Sequence, residues 1–432
     1  MRIFQINSTC DFGSTGRIAM NISKEVEKNG GESIIAYGRY SAPENIDSYR
    51  IGTELDVKIH GVLSRITDRQ GFYSTSATKR LIEKIKDYNP DLIHLHNIHG
   101  YYLNVQVLFD FLNEYNKPIV WTLHDCWTYT GHCAYFIASG CEKWKTECDN
   151  CPSKKEYPVS LVFDNSKKNY KQKKDLFTKP QNITIVTPSK WLRDVTEKSF
   201  LGKYPVKVIN NGIDLNKFKP TQGDFRKKNN LEDKFIILGV ASIWEERKGL
   251  KDFIKLNEML SENEKIVLVG LNDSQLAELP KSIIGIKRTN GIEEMAELYS
   301  TADVFVNPTY EDNYPTTNLE AIACGTPVVT YNTGGSPESV FEGNGFTVPR
   351  GDINELYNAI KKVDGCKTPA NDFLDASKRY KEYVDLYKFD SNKNLFCLNG
   401  KKAKIVNHYN GRHPHSKNVE FYLIENCTRC KY

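Results

Sequence analysis

The chain has 432 residues, 39% hydrophobic and 26% charged, with a formal net charge of +5. That balance excludes a disordered polymer and is too long for one ordinary core, so two α/β domains with a remainder are expected. No run approaches the roughly 18 apolar residues that cross a bilayer, and Lys and Arg are dispersed rather than striped with aromatics, so no spanning segment and no nucleic-acid partner are expected.

Residues 1–7 form a short apolar run followed at once by polar residues, which is unlike a secretory leader and predicts a cytoplasmic location. Residues 3–6 read as a buried first strand, then a Gly-Ser-Thr-Gly turn and a helix over about 17–29. Further strands are expected at 33–37, 92–95, 119–123 and 183–187, with helix-like segments between them. The pattern restarts near 206, with strands at 206–209, 235–240, 266–269, 304–306 and 328–330 and helices at 292–300 and 318–323. This alternation predicts two doubly wound, Rossmann-like domains, 1–200 and 201–370, facing each other across a cleft. A charged, Tyr-rich helix follows within 371–388, and 389–432 is a polar tail without periodicity. Lysine runs at 167–168, 171–174 and 401–404 read mainly as solvated helix faces; a peripheral contact with an anionic inner-membrane surface is their alternative use.

The segment 307–329 carries the most chemistry. A strand ends in a polar loop holding Glu311 and Asp312, and a helix opens at Thr316 or Thr317 and runs towards Gly325. The free N–H groups of its first turn, Thr316 to Asn318, suit a diphosphate, and Glu320 one turn in suits ribose hydroxyls. Asp312 at the loop tip suits hydroxyls of a transferred sugar, although an ordinary capped helix with exposed acids has the same pattern. Near the start, Phe12-Gly-Ser-Thr-Gly-Arg places Gly13 and Gly16 where a tight turn and close backbone approach are needed. It is not a G-x-G-x-x-G fingerprint, so a nicotinamide site is not supported.

The 307–329 segment resembles the signature of the retaining, GT-B-fold group 1 (family 4) glycosyltransferases, in which two acids flank seven residues before an Ala-x-Ala-x-Gly-x-Pro-Val run. Counting back from Glu320 reaches Asp312 as the first acid, with Glu311 one residue earlier; Asp312 is preferred and Glu311 stays beside it. Asn211-Gly-Ile-Asp, Thr187-Pro-Ser-Lys-Trp-Leu-Arg-Asp, Pro90-Asp-Leu-Ile-His-Leu-His and Thr122-Leu-His-Asp resemble further family segments in the same order. Within the last, the resemblance implies that His124 faces the donor sugar. Ala241-Ser-Ile-Trp-Glu-Glu-Arg-Lys-Gly resembles the loop that gives an Arg and a Lys to the diphosphate: Lys248 is in place, and Arg247 stands in for an Arg absent upstream. The likeness covers roughly 1–388. It implies an acceptor-side first domain, a second domain that binds a UDP- or GDP-sugar, and a saccharide or lipid-linked acceptor. It also implies retention of configuration, agreement with a metal-independent mechanism given that no Asp-x-Asp triplet occurs, and a place in capsule or exopolysaccharide synthesis. A nucleotide-sugar 2-epimerase of the same fold, or a non-catalytic nucleotide-sugar-binding protein, are the competing readings.

Five of eleven cysteines fall within 126–151. Cys133, Cys141, Cys148 and Cys151 offer four thiolates for a structural zinc that braces an insertion at 126–152; scattered buried cysteines carry equal weight. The group of Cys397, Cys427 and Cys430 is left unassigned.

Overall fold

The central apolar runs of the first half are buried on both faces, as a sheet covered on both sides by helices requires. β1 (Arg2–Thr9), β2 (Glu32–Arg39), β3 (Ser48–Arg50), β4 (Leu92–Leu95), β5 (Ile119–Thr122), β6 (Ile183–Thr187) and β7 (Val206–Val208) form a parallel sheet in the order β3-β2-β1-β4-β5-β6-β7. Its helices are α1 (Gly13–Lys28), α2 (Glu54–Thr67), α3 (Thr75–Tyr88), α4 (Val105–Glu114), α5 (Ser166–Phe177) and α6 (Lys190–Glu197). This computed structural model describes residues 1–341, 343–363, 368, 372–391, 395–398, 401–407 and 419–426.

The second sheet takes β8 (Phe235–Val240), β9 (Glu264–Val269), β10 (Ile284–Ile286), β11 (Val304–Asn307), β12 (Val328–Tyr331) and β13 (Gly345–Val348) in the order β10-β9-β8-β11-β12-β13, again all parallel. Around it lie α7 (Phe225–Lys228), α8 (Leu250–Asn257), α9 (Asp273–Glu278), α10 (Ile292–Thr301), α11 (Thr316–Ala323) and α12 (Ile353–Lys362). Both sheets wind outwards through three strands and then cross back. The order therefore reverses between β1 and β4 and between β8 and β11, and the crevices above the carboxyl ends of those strands are where such sheets take ligands.

The structure moves one boundary. β7 was expected to open the second domain, but it pairs with β6 (Ile185 with Val206), so the first sheet runs to Val208 rather than stopping near 200. α13 (Ala376–Ser391) returns to the first domain and packs on α1. There Tyr387 Oη is 2.6 Å from His94 Nδ1, and Thr122 Oγ1 donates to Tyr383 Oη at 3.3 Å. Within the tail, β14 (Leu395–Leu398), β15 (Lys401–Asn407) and β16 (Val419–Asn426) form a separate antiparallel sheet. Cys427 and Cys430 lie outside the described residues. No helix among the described residues is long and apolar enough to cross a membrane.

Candidate functional site

The loop from β1 into α1 is shaped by its glycines. Gly13 has φ +70°, in the left-handed region, and a Cβ on Gly16 would stand 2.7 Å from Thr9 Oγ1 and 3.0 Å from the Asp11 nitrogen. α1 opens at Phe12 without a side-chain cap, so no cap side chain takes up its first N–H groups.

His124 follows the end of β5. Its Nε2 is 3.2 Å from His96 Nδ1, and His96 Nε2 is 2.9 Å from Gln5 Oε1, so a buried polar chain runs from β1 to the His124 ring. Burial lowers the imidazole to about 4, against a smaller opposing pull from Asp125, and keeps it neutral near pH 7. Asp125 does not bond to that ring: it binds His99 Nε2 at 2.8 Å and the Trp127 N–H at 2.9 Å. His94 and His96 are both buried, and His96 supports His124.

From the second domain, the loops after β8 and β11 press together. Gly249, φ +76°, allows the approach, because a Cβ there would lie 2.2 Å from the Pro308 carbonyl oxygen. This seats Lys248 Nζ 2.5 Å from Asp312 Oδ2. Burial would push the Asp312 carboxyl up, but Lys248 and Arg247 hold it below the usual carboxylate range. Arg247 lies over the Tyr135 ring at 4.1 Å and donates to Glu245 Oε2 at 3.0 Å and to the Glu311 carbonyl at 3.1 Å. Lys248, Arg247 and Asp312 therefore form one charged group.

Glu311 does not join it. Its buried carboxylate accepts the N–H groups of Phe136 (2.8 Å), Ile137 (2.6 Å) and Ala138 (3.2 Å). The expectation of Glu311 as the alternative first acid of the signature is corrected: the neighbouring backbone aims Asp312 at Lys248 and Glu311 into the cysteine-rich insertion. Burial raises Glu311 to about 7 despite those donors.

α11 opens after Pro315 with no side-chain cap, and the Thr316 and Thr317 N–H groups have no hydrogen-bond partner among the described residues. Asn318 departs from expectation. Its N–H is 3.2 Å from the Pro315 carbonyl, and its amide is tied to Asn307 at 2.8 Å and Ser339 at 2.9 Å, so it fastens the helix to the sheet and is not free for a phosphate. Glu320 is buried and accepts from Tyr299 Oη at 2.9 Å. Burial raises it to about 7, opposed by the charge of Arg17 on α1 across the crevice and by Tyr299.

Other contacts join the two halves. Asn313 accepts from Ser189 Oγ at 2.7 Å and donates to the His124 carbonyl at 3.3 Å, so it links Asp312's neighbour to the histidine loop. Glu338 accepts the N–H groups of Lys190 (2.8 Å) and Trp191 (2.7 Å) at the start of α6. Arg17, Asn313, Tyr135 and Tyr299 were not singled out from the sequence; for Asn313 the signal was its place in the Glu-Asp-Asn-Tyr-Pro loop, and for Arg17 its position directly after Gly16.

The four cysteines line one cavity of ≈ 10 Å³ together with His132. All four are free thiols. The Cys133 and Cys151 thiols are hydrogen-bonded to each other, and the Gly131 and Ser153 N–H groups face the sulfurs of Cys148 and Cys151. His132 is paired with Asp68 through Nδ1, and its buried Nε2 has no hydrogen-bond partner among the described residues. Among the described residues no three such side chains are already arranged as a ligand set.

Comparison with known proteins finds two glycosyltransferase domains along the chain. The Glycosyltransferase Family 4 model matches residues 15–217, and the model described as Glycosyl transferases group 1 matches 234–363. Escherichia coli (strain K12) WcaC, named as a colanic acid biosynthesis glycosyl transferase, is 25% identical over 380 residues, spanning 84% of this chain and 90% of the relative. Staphylococcus aureus CapM, a capsular polysaccharide biosynthesis glycosyltransferase, is 27% identical over 169 residues, 35% of this chain and 43% of CapM. In fold, Anabaena HepE, solved with UDP, superposes with a TM-score of 0.62 at 14% identity, covering 90% of this chain and all (100%) of HepE. The chain is thus a GT-B fold that carries a family 4 glycosyltransferase domain followed by a group 1 glycosyl transferase domain.

Proposed function

We propose that this protein moves a hexose-type sugar from a UDP- or GDP-sugar to a saccharide or lipid-linked acceptor in surface-polysaccharide synthesis, with retention at the anomeric carbon. The observation that carries this reading is the Lys248, Arg247 and Asp312 group beside the uncapped start of α11. Breaking the anomeric bond builds negative charge on the departing diphosphate. Two fixed cations and helix-start N–H groups stabilise that charge without reorganising at the moment of reaction. Glu320, one turn into α11, is positioned for ribose hydroxyls, and neutral His124 is suited to a hydrogen bond with a sugar hydroxyl. Support for the acceptor class comes from a Campylobacter jejuni relative named as a diphospho-undecaprenol glycosyltransferase, 33% identical over 139 residues, 30% of this chain and 36% of that protein. Retention and independence from a divalent ion rest on the family resemblance.

Glu320→Ala is expected to weaken UDP or GDP binding by about tenfold or more, the scale of one or two lost hydrogen bonds to a charged group, with the fold intact. Calorimetric titration with both nucleotides measures this and also identifies the base; unchanged affinity for either would remove Glu320 from the donor site. Products formed from donor alone, without acceptor, would instead favour an epimerase.

A zinc ion on Cys133, Cys141, Cys148 and Cys151 is proposed as a brace for the insertion that Glu311 grips. Its support is the shared cavity, the N–H groups on two of the sulfurs and the partnerless His132 nitrogen. Protein purified under reducing conditions is expected to hold about one zinc per chain by elemental analysis. A metal-free preparation in which Cys133, Cys141, Cys148 and Cys151 all titrate as thiols would refute it.

A further inference from the structure

A surface helix of a soluble domain normally turns its apolar stripe inwards. α2 is inverted. Its buried residues are His60, Gly61 and Ser64, while Leu55, Ile59, Val62 and Ile66 are 65%, 50%, 54% and 42% exposed. These four recur at intervals of four, three and four residues, so they form one stripe along the helix. The outward stripe is extended by a second segment, Leu161, Val162 and Phe163, each more than half exposed. The two are contiguous: the Leu161 N–H donates to the Arg65 carbonyl at 2.7 Å and the Phe163 N–H to the Ile66 carbonyl at 3.1 Å. Seven of the fourteen large hydrophobic side chains exposed among the described residues stand in this one patch. Scattered single apolar residues need no explanation; a gathered patch of this size does.

The surroundings of the patch are basic. Lys58 and Arg65 are exposed on α2, the Lys154 ammonium donates to the Val162 carbonyl at 3.3 Å, and Lys168 is exposed five residues after Phe163; among the described residues none of the four is in an ion pair. The acids at its margins are engaged: Glu54 with Arg50, Asp56 in the cap of α2, and Asp164 with the Cys151 N–H and Ser166. Packed side chains also join α2 to the candidate site. His60 of α2 packs edge-on to Tyr101, Tyr101 packs against Tyr157, and Tyr157 bonds His99, the partner of Asp125 next to His124.

We infer that α2 and residues 161–163 form a membrane-docking face, on which the apolar stripe sinks into the outer part of an anionic lipid leaflet while the flanking cations meet its headgroups. A helix of this pattern lies in the plane of the interface, and binding combines apolar burial with attraction to anionic lipid. A second copy of this chain would bury the same stripe but would leave Lys58, Arg65, Lys154 and Lys168 facing their own counterparts, so charge favours the lipid. Binding to lipid does not depend on the proposed sugar transfer, so the two can fail separately.

The test is sedimentation of the full chain with phosphatidylcholine vesicles, with and without about 30 mol % phosphatidylglycerol. The expected result is binding to the anionic vesicles that weakens in high salt, and at least about a tenfold loss of partitioning in the Leu161→Glu, Val162→Glu, Phe163→Glu triple variant. These side chains are exposed, so the variant should keep wild-type thermal stability and nucleotide affinity, while Phe346→Glu, an exposed apolar residue elsewhere, should bind like the wild type. Absence of wild-type binding, or equal binding by the triple variant, overturns the inference. So does a lipid-free dimer by light scattering that the triple variant converts to monomer, since that assigns the patch to a second copy.

Discussion

Replacing Lys248 with alanine should lower turnover by about a hundredfold or more while nucleotide affinity falls much less. The reason lies in when its charge is needed. A nucleotide diphosphate is already anionic when bound, but it gains further negative charge as the anomeric bond breaks, and preorganised groups act most strongly on that increment; losing one such group costs roughly 10²–10³ in rate. Before any donor binds, Lys248 is held 2.5 Å from Asp312, so its position is fixed and little ordering is required. Lys248→Ala also leaves Asp312 with Arg247 as its main remaining cation, and Lys248→Arg separates the two consequences: it restores a cation to Asp312 but moves the point charge. Steady-state kinetics with the identified donor measures both variants. A Lys248→Ala enzyme with an unchanged kcat would take Lys248 out of the chemistry and weaken the transfer reading itself.

The second large effect is on stability. Glu311→Ala should destabilise the protein by on the order of 3 kcal/mol, because three main-chain N–H groups lose their acceptor where water has poor access. The loss should fall on the join between the halves and the cysteine-rich insertion, since Glu311 reaches from the loop after β11 to residues 136–138. Urea unfolding and limited proteolysis read the two parts: a lowered midpoint and new cleavage within 126–152. Glu311→Gln should recover part of the stability, since its amide oxygen still accepts one or two of the three bonds. If Glu311→Ala unfolds like the wild type and resists protease equally, the carboxylate is not what holds the insertion.

What could be read from the sequence follows from burial. β4, β5, β6, β8, β11 and β12 are nearly continuous apolar runs because helices cover both faces, and such runs stand out without any partner being known. β3, β10 and β13 are short edge strands, largely part-exposed, whose only distinguishing mark is the neighbour they pair with. β7 was visible as a strand but not as a member of the first sheet, since pairing is a tertiary fact. At the site, the spacing from Glu320 back to Asp312 and the Lys248-Gly249 pair were legible because they are local. The fate of Glu311 was not: nothing in the run Glu-Asp-Asn reveals that one acid turns towards a lysine and the other towards an insertion 173–175 residues away. Asn318 misled for a similar reason, its side chain being spent on Asn307, Ser336 and Ser339.

Glu311 and Glu338 both reach the first domain through main-chain donors, at Phe136 to Ala138 and at Lys190 and Trp191. Amide hydrogens are common to every residue type except proline, so these anchor points impose almost no demand on which side chains occupy those five positions. The first half can therefore vary there as its substrate requires while the grip of the second half stays the same, and introducing proline at Ile137 or Trp191, which removes one of these N–H donors, should loosen it.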